Sequence, residues 1–251
     1  MRRAEPSARS RLGYPPAVIE AVIFDYGGVF SSPLFRGIGD FESRMGYPAG
    51  SVLELLFGDK AYVGVEGAIH AVEREVPTES VTHDWHRLEV GELSLEEWFA
   101  GVSARAPEVL GQDIDMGAYL QFMADMPVGV HWPVVHRARE LKAAGMPIAL
   151  LTNNVAEWGN HWRATFPVDE LFEIVVDSSD VRIRKPNPDI YRLTCERLGV
   201  TPETSVFLDD NADNVGAARA LGMEVVHVGD NPFVAIAELD AILERRGSRT
   251  S

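Results

Sequence analysis

Val18-Ile19-Glu20-Ala21-Val22-Ile23-Phe24-Asp25-Tyr26-Gly27-Gly28 decides how this chain is read. Its first seven residues are mostly apolar and β-branched, the pattern of a strand buried on both faces of a parallel sheet. The run stops at a carboxylate, and the two glycines behind it permit a tight, irregular backbone. The C-terminal edge of an open α/β sheet is where ligands bind, and Asp25 would stand on it.

Outward from this stretch the same pattern recurs. Strands are expected over 147–151, 173–176, 205–208 and 224–228. Apolar periodicity predicts helices over 134–144, 188–198, 215–221 and 232–244. The first three are closed by Gly145, Gly199 and Gly222, glycine being the usual residue just past a helix end. Strands alternating with helices imply crossover connections and parallel pairing. The expected fold class is therefore α/β, a doubly wound, mainly parallel, Rossmann-like sheet.

The interval 32–126 breaks the alternation. It lacks strong strands and predicts helices over 41–45, 51–57, 61–75, 82–90, 94–102 and 117–126. Ser94 with Glu97 three residues on has the form of a capping box. The expected organisation is a flexible tail over 1–16, a core over 17–31 and 127–246, and an inserted helical cap over 32–126. The stretch 245–248 is expected to fray.

Polar residues follow four of the strands: Asp25, then Thr152 and Asn153, then Lys185 within Arg184-Lys185-Pro186-Asn187-Pro188, then Asp209 and Asp210. One edge of the sheet would collect a nucleophile, hydroxyl and amide donors, a cation and a carboxylate pair. Phosphoryl transfer needs such a set: an in-line nucleophile, neutralised oxygens and positioning. Aspartate can carry a covalent phosphoryl group, and carboxylates suit a hard Mg²⁺.

The segments Ile23-Phe24-Asp25-Tyr26-Gly27-Gly28-Val29, Leu150-Leu151-Thr152-Asn153-Asn154, Arg184-Lys185-Pro186-Asn187-Pro188-Asp189-Ile190-Tyr191 and Phe207-Leu208-Asp209-Asp210-Asn211-Ala212-Asp213-Asn214 resemble the four motifs of the haloacid dehalogenase superfamily. The resemblance extends over 18–228. Within the superfamily it is closest to sugar-phosphate phosphatases and the N-terminal phosphatase domain of soluble epoxide hydrolases. It implies a central first strand, Asp25 as nucleophile, and Thr152 and Asn153 as phosphate ligands. It further implies Lys185 holding both nucleophile and phosphate. Asp25, the carbonyl of Gly27, Asp210 and the adjacent Asp209 would hold Mg²⁺, with Asn214 in support. The implied activity is Mg²⁺-dependent hydrolysis of a small phosphate monoester, a sugar phosphate among the candidates.

One position departs from that pattern. The phosphatase motif carries a second aspartate two residues after the nucleophile, and Gly27 stands there instead. Loss of such an acid/base group typically costs about 10²–10⁴-fold in rate. Three readings stay open: a phosphatase that works without it, a 2-haloacid dehalogenase whose halide leaves unprotonated, and a non-catalytic binding or regulatory protein. The Asp209-Asp210 pair argues against the dehalogenase, because metal-free carbon–halogen cleavage gains nothing from two more carboxylates.

Composition bounds the partners. The 251 residues are 46% hydrophobic and 24% charged, ordinary globular proportions with material for a core. A net charge of −15 disfavours nucleic acid. No apolar run approaches the roughly 18 residues of a bilayer span. Cys195, the single cysteine, excludes an intrachain disulfide and fits a cytoplasmic setting as a packing residue. The expected partner is a small phosphorylated metabolite, bound by a monomer or homodimer. His83 and His86 could begin a zinc site but are expected to pack. Packing is likewise expected of Phe35, Trp85, Trp98, Phe99 and Phe122. Arg182 and Arg184 read equally as extra phosphate ligands or as solvated loop residues.

Overall fold

The computed structural model describes residues 18–33, 37–58, 83–127, 129–159 and 162–248. The expected tail over 1–16, the helix expected over 61–75 and Phe35 lie outside the described residues. The sheet consists of β1 (Ala21–Phe24), β2 (Ile148–Thr152), β3 (Ile174–Asp177), β4 (Ser205–Asp209) and β5 (Glu224–His227). Their order is β3-β2-β1-β4-β5. Every pairing is parallel, with Val22 opposite Ile148 and Val206, and Phe24 opposite Leu150 and Leu208. The first strand is central, as expected.

The strand period of two divides each strand between two cores. Val22, Phe24, Leu150 and Leu208 pack with α6 (Trp132–Ala143) and α11 (Pro232–Arg246) through Val135, Ala138, Leu239 and Ile242. Ile23, Ala149, Leu151 and Phe207 face the other way, onto α9 (Pro188–Leu198) and α10 (Ala212–Ala220) through Ile190, Tyr191, Cys195 and Ala218. Helices thus cover both faces, which explains why these strands read as unbroken apolar runs.

The C-terminal expectation is corrected. Residues 245–248 do not fray: α11 runs through Arg246, whose guanidinium pairs with Glu224, and Arg245 pairs with the same carboxylate at 2.9 Å. Ser248 then bridges Ile19, whose amide donates to the Gly247 carbonyl.

Between β1 and β2 stand α1 (Ile38–Met45), α2 (Ser51–Phe57), α3 (Asp84–Glu89), α4 (Leu95–Leu110) and α5 (Met116–Asp125). They share a separate apolar core that includes Phe41, Leu55, Leu88, Trp98 and Tyr119. Val155 and Trp158, just after β2, pack into this core as well. The Ser94–Glu97 capping box forms. The helix it starts, however, continues two turns past its expected end at 102 and through Pro107. The reason is the buried stripe Trp98, Val102, Ala106 and Leu110, spaced by four residues. Packing along that face outweighs the backbone hydrogen bond that proline removes.

Glu42 shows how the inserted helices hold together. Its buried carboxylate accepts from the amides of Gly50 and Val52, each at 2.8 Å, and so satisfies donors at the start of α2. Glu42→Gln keeps the shape but replaces one acceptor oxygen with an NH₂ group. Denaturant unfolding should show a loss of about 1–2 kcal/mol; an unchanged midpoint would contradict this assignment.

Candidate active site

β1 ends at the middle of the sheet, so Asp25 emerges between the ends of β2 and β4. Its amide donates to the Leu208 carbonyl at 2.9 Å, which continues the β1–β4 ladder one residue beyond the strand. The side chain is thereby placed by sheet hydrogen bonding, with 7% of the residue exposed.

Lys185 joins the strand ends. Only 1% exposed, it lies 2.6 Å from Asp25 Oδ1 and 2.7 Å from Asp209 Oδ2, and donates to the Leu151 carbonyl at 3.1 Å. All three partners are acceptors, so the ammonium's donors are satisfied. Burial pulls its pKa down, but Asp209 and Asp25 outweigh burial and hold Lys185 above the ordinary lysine value. The Lys185 backbone is fixed too. Asn153 Oδ1 accepts from its amide at 2.8 Å, and Asn153 Nδ2 donates to its carbonyl at 3.0 Å.

These contacts separate residues that the sequence had grouped. The side chain of Asn153, expected to bind phosphate, clasps the lysine segment through both its polar atoms. Asp209 and Asp210 also differ, although both were expected to be metal carboxylates. Asp209 is wholly buried, and both its oxygens accept hydrogen bonds: Oδ1 from the Asn211 amide at 2.7 Å, Oδ2 from Lys185, and both from Asn214 Nδ2 at 3.1 Å. Asp210 is half-buried, and its backbone carbonyl lies 2.9 Å from His227 Nε2. Thr152 is buried at the end of β2, with Oγ1 donating to the Asn153 carbonyl at 3.3 Å.

The two glycines after Asp25 differ as well. Gly28 has φ of +69°, and a Cβ there would fall 2.0 Å from Asp210 Oδ2. Glycine is required at that point for the Asp210 carboxylate to approach the β1 turn. A Cβ on Gly27 would meet nothing within 4 Å.

Carboxylate oxygens of Asp25, Asp209 and Asp210 lie within 4.8 Å of one another, and one ammonium faces them. Burial pushes the Asp25 carboxyl up to about 7; Lys185 counters this and Asp209 adds to it. Burial, then Asp209 and Asp25, likewise raise Asp210 well above the ordinary carboxylate range. Three close carboxylates against one cation form an all-oxygen set short of positive charge, which fits a hard divalent cation.

The remaining candidates resolve into packing and support. Arg184 Nε donates to Glu89 Oε2 at 2.6 Å, so this guanidinium is engaged by the inserted helices. Arg182 is exposed at the end of α8 (Ser178–Val181), with φ of 58°. His83 caps α3 by accepting from the Trp85 amide, and no third ligand joins it and His86 among the described residues. Trp85, Trp98, Phe99 and Phe122 pack in the inserted helices' core. Glu89 and Ser178 were missed by sequence reasoning. An isolated Glu in a helix and a Ser after a strand carry no signal until the chain brings them together.

A family model for haloacid dehalogenase-like hydrolases matches residues 19–222, and the chain belongs to that family. Acyl-CoA dehydrogenase family member 10 of Mus musculus is 29% identical over 228 residues, covering 89% of this chain and 19% of that protein. Bifunctional epoxide hydrolase 2 of Sus scrofa is 23% identical over 235 residues, 89% of this chain and 39% of that protein. Phosphoglycolate phosphatase of Escherichia coli strain K12 is 32% identical over 82 residues, 33% of this chain and 32% of that protein. The chain thus spans well under half the length of the first two of these relatives. Among solved structures, a HAD family enzyme of Bacteroides thetaiotaomicron in complex with magnesium and inorganic phosphate has a TM-score of 0.55 at 20% identity, covering 85% of this chain and 96% of that one. A dehalogenase structure has a TM-score of 0.57 at 20% identity, covering 85% and 87%. No helix among the described residues is long and apolar enough to cross a membrane.

A carboxyl whose pKa is raised in the folded chain contributes stability that is full below its unfolded pKa and lost as pH rises through the folded value. For Asp25 that window runs from about 4 to about 7. In chelator the thermal midpoint should therefore fall between about pH 5 and about pH 8, and millimolar Mg²⁺ should raise it more at the higher pH. Asp210→Asn should remove most of the Mg²⁺ effect. An equal Mg²⁺ shift in wild type and variant would place the ion elsewhere.

Proposed function

We propose that this haloacid dehalogenase-like hydrolase is a Mg²⁺-dependent phosphatase acting on a small phosphate monoester through an aspartyl-phosphate on Asp25. The observation that carries this reading is the Lys185 ammonium shared between Asp25 and Asp209 beside the acidic set. It supplies a buried carboxylate, oriented through one oxygen, next to a fixed positive charge. Asp25 and Asp210, with the Gly27 carbonyl, would hold Mg²⁺, with Asp209 completing the acidic set. When bound, the ion supplies charge neutralisation for a phosphate oxygen and for the carboxylates.

Lys185 holds Asp25 Oδ1, which leaves Oδ2 to attack phosphorus in line. The P–O bond to the leaving alcohol breaks as the Asp25–phosphorus bond forms. Water then attacks phosphorus as the Asp25–phosphorus bond breaks; phosphate departs with Asp25 restored, and the proton that water gives up passes to solvent, from which the departed alkoxide takes one up. Lys185 stabilises charge on both carboxylate and phosphate throughout. Thr152 and the backbone amide of Asn153 would contact the phosphate, since the Asn153 side chain is engaged by Lys185. The helices between β1 and β2 would act as the cap that selects substrate and limits water.

With Gly27 in place of a carboxyl acid, the leaving group departs without a proton from that position. This favours esters whose alcohol leaves easily, an anomeric sugar phosphate among them. The similarity to phosphoglycolate phosphatase over 82 residues supports phosphate ester chemistry.

Phosphate release from a panel of aryl, alkyl and sugar 1-phosphates should depend on Mg²⁺, stop with chelator, and fall at least about 10³-fold in Asp25→Asn. No turnover on any ester by folded, Mg²⁺-binding protein would reject the phosphatase; halide release from 2-haloacids would then distinguish a dehalogenase from a binding protein. A Cβ at position 27 meets nothing within 4 Å, so Gly27→Asp starts without a clash at that atom. It should raise kcat on alkyl phosphates about tenfold or more while changing aryl phosphates little. Equal gains on both would rule out leaving-group assistance as what Gly27 omits.

A further inference from the structure

Glu89, at the end of α3, belongs to the inserted helices, yet it touches both loops on the β2–β3 side of the site. Its carboxylate, on a side chain 8% exposed, accepts from Arg184 Nε at 2.6 Å. Arg184 directly precedes Lys185. The Glu89 backbone carbonyl accepts from Ser178 Oγ at 2.7 Å, and that hydroxyl accepts from the Asn154 amide at 3.0 Å. Ser178 is wholly buried. Asn154 directly follows Asn153, whose side chain holds the Lys185 backbone.

These bonds close a ring from Glu89 through Arg184 to Lys185, from Lys185 to Asn153 and Asn154, and through Ser178 back to Glu89. The Trp85 side chain, one turn earlier on α3, also hydrogen-bonds the Glu89 carboxylate. Buried charge-assisted bonds of this kind are strong and directional. An isolated buried carboxylate would be costly, so Glu89 and Arg184 hold each other in one geometry.

We propose that Glu89 is a positioning residue. Through Arg184 and Ser178 it fixes the two loops that carry Lys185 and Asn153, so that the seating of the inserted helices sets the Lys185–Asp25 geometry. Glu89 itself does not touch the reacting atoms. Its effect on kcat rests on the phosphatase reading above; its effect on the loops does not.

The test compares Glu89→Gln and Arg184→Lys with Glu42→Gln, which weakens the same inserted helices away from the site. Amide hydrogen exchange over 182–187 should rise about tenfold or more in the first two variants and stay at the wild-type level in Glu42→Gln. On an aryl phosphate the first two should lose about tenfold in kcat with KM within about twofold, and the double variant Glu89→Gln/Arg184→Lys should lose no more than either alone. The proposal is overturned if exchange over 182–187 is unchanged in Glu89→Gln and Arg184→Lys, or rises equally in Glu42→Gln. Should wild-type protein hydrolyse no ester, the phosphatase reading fails, and the exchange comparison still decides the role of Glu89.

Discussion

The ammonium of Lys185 is the constraint on which the site depends. It is buried against three acceptors that come from three strand ends: Asp25 after β1, the Leu151 carbonyl in β2 and Asp209 at the end of β4. Without it, two nearby carboxylates would lie in a poorly solvated place with nothing to balance them. Removing one partner of a buried ion pair typically costs about 3–5 kcal/mol, because the other charge is left unpaired. The charge that orients Asp25 is thus also part of what holds the strand ends together.

Asp209 and Asp210 illustrate how adjacent identical residues can differ completely. β4 ends at Asp209, so Asp210 stands on the bend beyond the strand, and the two side chains meet different neighbours. Asp209 points inward to Lys185 and Asn214, while half-buried Asp210 approaches the Gly28 turn. The paired glycines divide in the same way. A side chain at Gly28 would collide with Asp210, whereas Gly27 borders open space. Gly28 is therefore explained by packing, whereas neither packing nor a positive φ requires glycine at 27.

The inserted helices have their own apolar core, but they are not an isolated body. Val155 and Trp158 from the segment after β2 pack into them, the Leu95 amide donates to Glu157 at 2.8 Å, and Glu89 pairs with Arg184. Each tie falls on the β2–β3 side of the sheet. The segments that carry Asn153 and Lys185 are therefore shared between the sheet and the inserted helices, and the position of these helices and the geometry of the site are linked through them.

The sheet was legible in the chain alone, because buried parallel strands must be apolar along their whole length and glycine closes the helices between them. So was the set of residues at the C-terminal edge of the sheet, since these follow directly from where each strand stops. How those residues pair with one another was left to the folded arrangement. Whether Asn153 turns to the ligand or to Lys185, which of Asp209 and Asp210 faces inward, and that α4 continues through Pro107 all depend on neighbours distant in the chain. Glu89 and Ser178 are the clearest cases. Neither lies in a recognisable motif, and each acquires its partner only where the inserted helices and the sheet edge meet, because hydrogen bonds and ion pairs are set by proximity in space, which local sequence pattern does not encode.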